Sequence, residues 1–332
     1  MLTVVVGGFY GDEGKGKVVG YLAKTDKVDY CVRAGGGPQA GHTVTNGMKV
    51  TQIPSGFVSL SSRLLIARGT IINPQTVLRE IKEYERFNVG ERLGIDYGCT
   101  VIEPQHIEAE KELVARIGSV GTGAGPARVD RVMRIGRLAK DVPELKPYLV
   151  DAADLVNDAI GEEKNILIEG VQGYGLSLLD HSNYPHVTSQ DTTASQFLAD
   201  AGIGPRAVSE VIVVYKAYVS RVGKGPLPLR EWTEDEKDAK QIHEKGSVSG
   251  RDRRFCDFDY DLACKSMIRN TGTSAAITCI DRLFHGNTGV TEFDALTQDA
   301  QEFIAELHIT LTERCMKRGY ISIGLISTGP NL

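Results

Sequence analysis

Short apolar runs, mostly of β-branched residues, punctuate the chain at 4–6, 30–32, 63–67, 166–168, 211–217, 275–280 and 321–327. None alternates with polar residues, so both faces of each run should be buried, as in a parallel sheet. Amphipathic stretches at helical spacing lie between them, over 74–86, 104–117, 149–162, 233–244 and 298–317. Thr233 with Glu236 three residues on has the form of a capping box and predicts a helix start there. Strand and helix alternate, which predicts an α/β fold: a central, mostly parallel β-sheet flanked by helices, with loop and helix insertions. No repeat, low-complexity tract or linker interrupts the pattern. Residues 1–332 therefore read as one domain whose first and last strands share the sheet.

In such sheets ligands collect beyond the carboxyl ends of the strands. The first run leads into GGFYGDEGKGK (7–17), a P-loop-like, glycine-rich turn. Strand, exposed backbone amides and a helix start together make an anion site. Gly11, Gly16 and Lys17 fit G-x-x-x-x-G-K, but Val18 stands where a Ser or Thr would hold Mg²⁺. Asp12 lies inside this loop, where negative charge needs neutralising by a metal or a proton. The other runs lead into AGGGPQAGHT (34–43), VQG (171–173), YPHVTSQDTT (184–193), SRVGKGP (220–226), Asp281 and STGP (327–330). His42, beside a triple glycine at a strand end, suits proton or phosphate work. GSVSGRDRR (246–254) serves equally as a solvated charge run or as a grip for carboxylates and phosphates.

Bulk properties narrow the class. The 332 residues are 41% hydrophobic, enough for a large core, and the net charge is −5. No block of Lys/Arg suggests a nucleic acid or a membrane surface as partner. No signal peptide and no run of membrane-spanning length is evident. Six cysteines (31, 99, 256, 264, 279, 315) are scattered without C-x-x-C and read as reduced thiols of a cytoplasmic protein.

The motifs GDEGKGK, AGHT, EGVQG, YPHVTS, RVGKGP, the arginine loop and STGP occur in order from residue 3 to 330. Together they make the chain similar to adenylosuccinate synthetase, and the first motif with AGHT is highly specific. The resemblance implies a GTP-dependent ligation of IMP and L-aspartate to adenylosuccinate through 6-phosphoryl-IMP, with Mg²⁺, in a homodimer. It implies Asp12 as the base on N1 of IMP, His42 as the acid on the phosphoryl oxygens and Gln172 as a purine contact steadying charge. Mg²⁺ would be held by Asp12 and the Gly41 carbonyl. GTP would meet Gly11, Asp12, Glu13, Gly14, Lys15, Gly16 and Lys17, then Gly41, His42, Thr43 and Arg253. Its base would meet Cys279, Ile280 and Asp281, with Ser327, Thr328 and Gly329 as a wall. IMP would meet Asp12 to Lys15, Gln39, Ala40, Gly41, His42, Ser119, Val120, Gln172, Thr188, Val222 and Arg251, with Arg134 lent by the partner subunit. Aspartate would meet Ser247, Val248, Ser249, Gly250, Arg251, Asp252 and Arg253.

Four features depart from that pattern. Thr278-Cys279-Ile280-Asp281 replaces T-K-x-D, so the lysine stem over the base is gone. Ser119-Val120-Gly121-Thr122-Gly123 replaces T-T-G-R-G, and Val248-Ser249 stand for two threonines. The chain is also compact. These departures leave room for a non-catalytic purine-nucleotide sensor, and the glycine loop alone for an unrelated P-loop kinase. Asp12 with His42 favours the enzyme, because a mere binder gains nothing from a carboxylate among phosphates.

Overall fold

The computed structural model describes residues 1–315 and 321–329. Pro330 and the 316–317 end of the expected last helix lie outside them. Nine strands form one sheet: β1 (Leu2–Gly7), β2 (Tyr30–Arg33), β3 (Arg63–Ile66), β4 (Leu93–Asp96), β5 (Leu149–Val150), β6 (Ile166–Glu169), β7 (Glu210–Lys216), β8 (Ser274–Thr278) and β9 (Ser322–Ile326). The order is β9-β8-β7-β1-β6-β2-β3-β4-β5 and every pairing is parallel. First and last strands thus share the sheet, as the sequence predicts.

Burial on both faces is visible within β1. Val4 and Val6 pack into one apolar layer with Phe9, Phe197 and Tyr215, whereas Val5 packs into the opposite layer with Val19, Phe57 and Leu64. The chain leaves β1 toward β2 on one side and later passes from β6 to β7 on the other. That switch in direction opens a crevice over the carboxyl end of β1, where the glycine loop sits.

Two strands escape the sequence pattern. β4 has four residues, one of them Gly94, whose added Cβ would lie 2.7 Å from Val150 and 2.8 Å from Leu65 side-chain carbons. β5 occupies the first two residues of the expected 149–162 helix. That helix runs Ala152–Gly161, with the Asp151 carboxylate capping the Asp154 N–H. The helix expected over 233–244 begins on the Thr233/Glu236 capping box but ends at Lys240. The helix from Pro74 ends at Glu83, and a 3-10 turn, Glu85–Phe87, follows. The run 275–280 stops as a strand at Thr278, because Cys279 adopts φ 59 and caps the short helix Ile280–Leu283.

Phe9, Tyr215 and Phe258 pack beneath the glycine loop with ring centroids 5.1–6.1 Å apart. The backbone of Gly8 lies flat on Tyr215: a Cβ there would come within 2.2 Å of the ring. Gly8→Ala should therefore destabilise the fold by about 1–3 kcal/mol, the usual cost of overpacking. Urea unfolding would measure this, and an unchanged midpoint would contradict the packing account.

Candidate active site

A cleft of about 340 Å³ opens beyond the carboxyl ends of β1, β2, β6 and β7. It brings together Gly11 and Asp12, Gln39 to His42, Ser119 and Val120, Gln172, Thr188, Val222, Ser247 to Ser249, Arg251 and Arg253. Residues from seven separate stretches of sequence thus share one space.

Asp12 Oδ2 accepts hydrogen bonds from Ser220 Oγ, from Arg253 Nη1 and, at 3.5 Å, from Lys216 Nζ. Burial alone would push its carboxyl toward the protonated form. Arg253 and Lys216, with the Ser220 hydroxyl, outweigh burial and hold it below the usual carboxylate range. Asp12 is therefore ionised. Glu13 behaves differently. Its side chain is buried inside the loop, where Oε1 accepts from Phe9 N (2.9 Å) and Gly11 N (2.8 Å), and Oε2 pairs with Lys15 Nζ at 2.7 Å. Its carbonyl accepts from Thr278 Oγ1 at 2.8 Å. The Glu13 carboxylate and the Lys15 ammonium thus shape the loop from within.

His42 begins a two-residue strand paired antiparallel with Lys49–Val50. Its Nδ1 meets Glu169 Oε1 and lies 2.6 Å from Arg33 Nη1. Arg33 and Glu169 are register partners on adjacent strands, 3.0 Å apart at Nη1 and Oε1, and Ser55 N and Oγ also donate to the carboxylate. Burial, reinforced by Arg33, pushes the imidazole down to about 4. Burial opposes ionisation of Glu169, yet Arg33, His42 and Ser55 hold it down to about 2. His42 is thus neutral at pH 7, and its Nε2 is buried without a protein partner. Gln172 sits at φ 58, donates from Nε2 to Thr188 Oγ1 at 2.8 Å, and keeps a buried, unpartnered Oε1. Gln39 Oε1 is likewise unpartnered. Unpaired buried polar atoms cost about 1–3 kcal/mol each, so three of them along one cleft mark places for a polar ligand.

Other expected site residues lie outside this cleft. Lys17, Cys279 to Asp281 and Ser327 gather on the other flank of the glycine loop. Lys17 Nζ donates to Ser327 Oγ at 2.6 Å, and Ile280 N to the Ser327 carbonyl at 3.4 Å. Burial lowers the Lys17 ammonium, with Cys279 and Asp281 pulling the other way. Thr328 bonds Val290 and Gly289 across the same wall. Asp252 points outward beside Lys245, 3.8 Å away. Arg134 is exposed at φ 63, ending the helix Ala124–Met133, among exposed Val129, Val132, Met133 and Ile135. Ser119 Oγ turns back to Glu110, while its carbonyl accepts from Arg251 Nη2 at 3.1 Å.

Sequence reasoning did not single out Arg33, Glu169, Lys216, Ser220 or Glu244. A signal existed for three of them: Arg33, Glu169 and Lys216 are the charged last residues of apolar strands, each buried. Asp12 and the Gly41 carbonyl are hard oxygen donors suited to Mg²⁺, which takes few protein ligands and fills its shell with phosphate and water. Here the Gly41 carbonyl accepts from Ser247 Oγ at 3.2 Å. Among the described residues no cluster of three or more His, Cys, Asp or Glu offers another metal site.

The neutral, buried His42 makes stability depend on pH. Below about 6.5 the unfolded chain binds a proton that the folded imidazole refuses until about 4, so stability falls across that window as pH drops. Between pH 7 and 4.5 the loss from this group should be on the order of 2 kcal/mol. His42→Gln should lose correspondingly less over the same interval in urea titrations, and equal losses would refute the assignment.

Comparison with known proteins follows the same lines. The family model described as adenylosuccinate synthetase matches residues 4–144 and 137–288. Adenylosuccinate synthetase of Archaeoglobus fulgidus is 47% identical over 336 residues, covering 99% of this chain and 96% of the relative. That of Thermococcus onnurineus is 46% identical over 335 residues with the same coverage. The structure of the fully ligated Plasmodium falciparum adenylosuccinate synthetase superposes with a TM-score of 0.87 at 22% identity, covering 99% of this chain and 97% of that one. The chain belongs to the adenylosuccinate synthetase family.

Proposed function

We propose that this chain joins IMP to L-aspartate, converting GTP to GDP and phosphate and releasing adenylosuccinate in AMP synthesis. The observation that carries the reading is the ionised Asp12 carboxylate in a phosphate-binding loop, sharing one cleft with the free Nε2 of His42. A nucleotide sensor would have no use for that pair.

The chemistry divides among named atoms. Asp12 accepts the N1 proton of IMP, which makes O6 nucleophilic toward the γ-phosphoryl group. His42 donates from Nε2–H to phosphoryl oxygens. Nδ1 is held between the Arg33 guanidinium and the Glu169 carboxylate, which fixes the ring with Nε2 outward. Gln172 holds the purine edge with the Oε1 that the protein leaves unpaired. Arg251 and Arg253 grip the carboxylates of aspartate, whose amine then displaces phosphate at C6. Asp281 accepts from N1–H and N2–H₂ of guanine, a donor pair that adenine lacks. Mg²⁺, held by Asp12 and the Gly41 carbonyl, would neutralise charge on the transferred phosphoryl group.

A homodimer fits the same reading. Arg134 lies outside its own cleft, and exposed Val129 (60%), Val132 (67%), Met133 (62%) and Ile135 (73%) surround it. Such a patch suits a partner surface, and it would carry Arg134 to the IMP phosphate of the second subunit. Five of the six cysteines are buried, which suits a reducing cytoplasm. Among the described residues no helix is long and apolar enough to cross a membrane.

An absorbance assay with IMP, aspartate, GTP and Mg²⁺, omitting each in turn, tests the activity; product without any one of them would contradict the scheme. Asp12→Asn should cut turnover by about 10²–10⁴-fold while GTP still binds, and near-normal rates would remove Asp12 as base. Arg134→Leu should raise the KM for IMP several-fold. Mixed with Asp12→Asn it should regain activity through hybrid dimers that contain one intact site; no recovery on mixing would mean self-contained subunits.

A further inference from the structure

Glu244 is the last residue of the helix expected over 233–244. Instead the helix ends at Lys240, Gln241 turns at φ 53, and Glu244 reaches the cations that hold Asp12, with only 11% of its side chain exposed. Its carboxylate meets three cations from three different parts of the protein. Oε1 accepts from Arg282 Nη1 at 2.8 Å and from Tyr218 OH at 2.5 Å. Oε2 accepts from Lys216 Nζ at 2.5 Å and faces Arg253 Nε at 3.6 Å.

Each cation answers to a different substrate region. Arg282 follows Asp281 on the short helix Ile280–Leu283, so its position is tied to the guanine-reading turn. Arg253 belongs to the 247–253 loop, and its backbone N–H donates to the Glu244 carbonyl at 3.0 Å. Lys216 ends β7 and touches Asp12. Glu244 shares Lys216 and Arg253 with Asp12 and holds Arg282 as well, so two carboxylates serve three cations and the position of each cation alters how tightly the others are held.

We propose that Glu244 is a positioning residue that couples the two ends of the reaction. Through Arg282 and Glu244, a guanine base seated on Asp281 fixes Arg253 and closes the 245–253 loop before aspartate arrives. Nothing but ordering need be transmitted: a loop already held in place costs aspartate less entropy to organise. The inference rests on the reading of Asp281 as the guanine contact. It adds a residue that touches no substrate and a direction, guanine nucleotide first and amino acid loop second.

The intact enzyme tests it through hydrogen exchange of the amides in 245–253, with saturating GDP and no aspartate. In the wild type, GDP should slow exchange there at least about fivefold, the low end of usual coupling between sites. Arg282→Met, at a half-exposed position, should still bind GDP but lose most of that protection. Glu244→Gln should do the same and raise the KM for aspartate more than it lowers kcat, whereas a merely structural role would lower Tm and leave KM unmoved. If Glu244→Gln does not fold, Arg282→Met decides alone. Equal loop protection in Arg282→Met and wild type, or none in wild type, overturns the coupling. An enzyme that shows these effects but makes no adenylosuccinate would instead overturn the proposed reaction.

Discussion

A carboxylate placed among phosphates has to be held ionised against both burial and its prospective neighbours. Asp12 meets this constraint through groups distant in sequence: Lys216 at the end of β7, Ser220 just after it, and Arg253 from the loop beyond 245. An uncompensated buried anion costs several kcal/mol. The Asp12 site therefore exists only once the central sheet has brought these segments together. The ionised Asp12 is a product of the fold and not of the glycine loop alone.

The His42 side chain is built by the same logic with the opposite result. His42 leans on the cross-strand pair Arg33–Glu169, whose members face each other because β2 and β6 are adjacent and in register. Arg33 lies against the imidazole and discourages its protonation, while Glu169 anchors the ring. Asp12 is driven to its charged form and His42 to its neutral one. Burial does most to keep His42 neutral, with Arg33 adding to it, whereas for Asp12 the cations Arg253 and Lys216 overcome burial.

The sheet was readable from the runs of β-branched residues because full burial on both faces removes alternation. β4 and β5 were not, since two to four residues with a glycine carry no period. The ligand-facing loops were readable from their glycines and hydroxyls. What the loops lean on was harder to see: Glu244 sat in a stretch with helical spacing, and only the left-handed turn at Gln241 takes it off the helix. Cys279 shows the same limit. Its departure from the lysine of relatives is plain in sequence, but its φ of 59 and its place beside Lys17 and Arg282 require the structure.

The two adjacent acids of the glycine loop show how the fold assigns roles that sequence leaves equal. Glu13 accepts the amides of Phe9 and Gly11 and neutralises Lys15, all within seven residues, so its charge is consumed in shaping the turn. Val18 is buried in the layer beneath the helix and cannot offer a hydroxyl in place of Thr or Ser. With Lys15 engaged inside and Val18 in the core, Lys17 is left toward Ser327 and the nucleotide flank, and Asp12 is the one loop side chain turned into the cleft as an anion. A metal ion drawn to this loop must then come to Asp12 itself. In the proposed reaction the base and the metal would share this one carboxylate, with Val18 in the core where a hydroxyl ligand would stand.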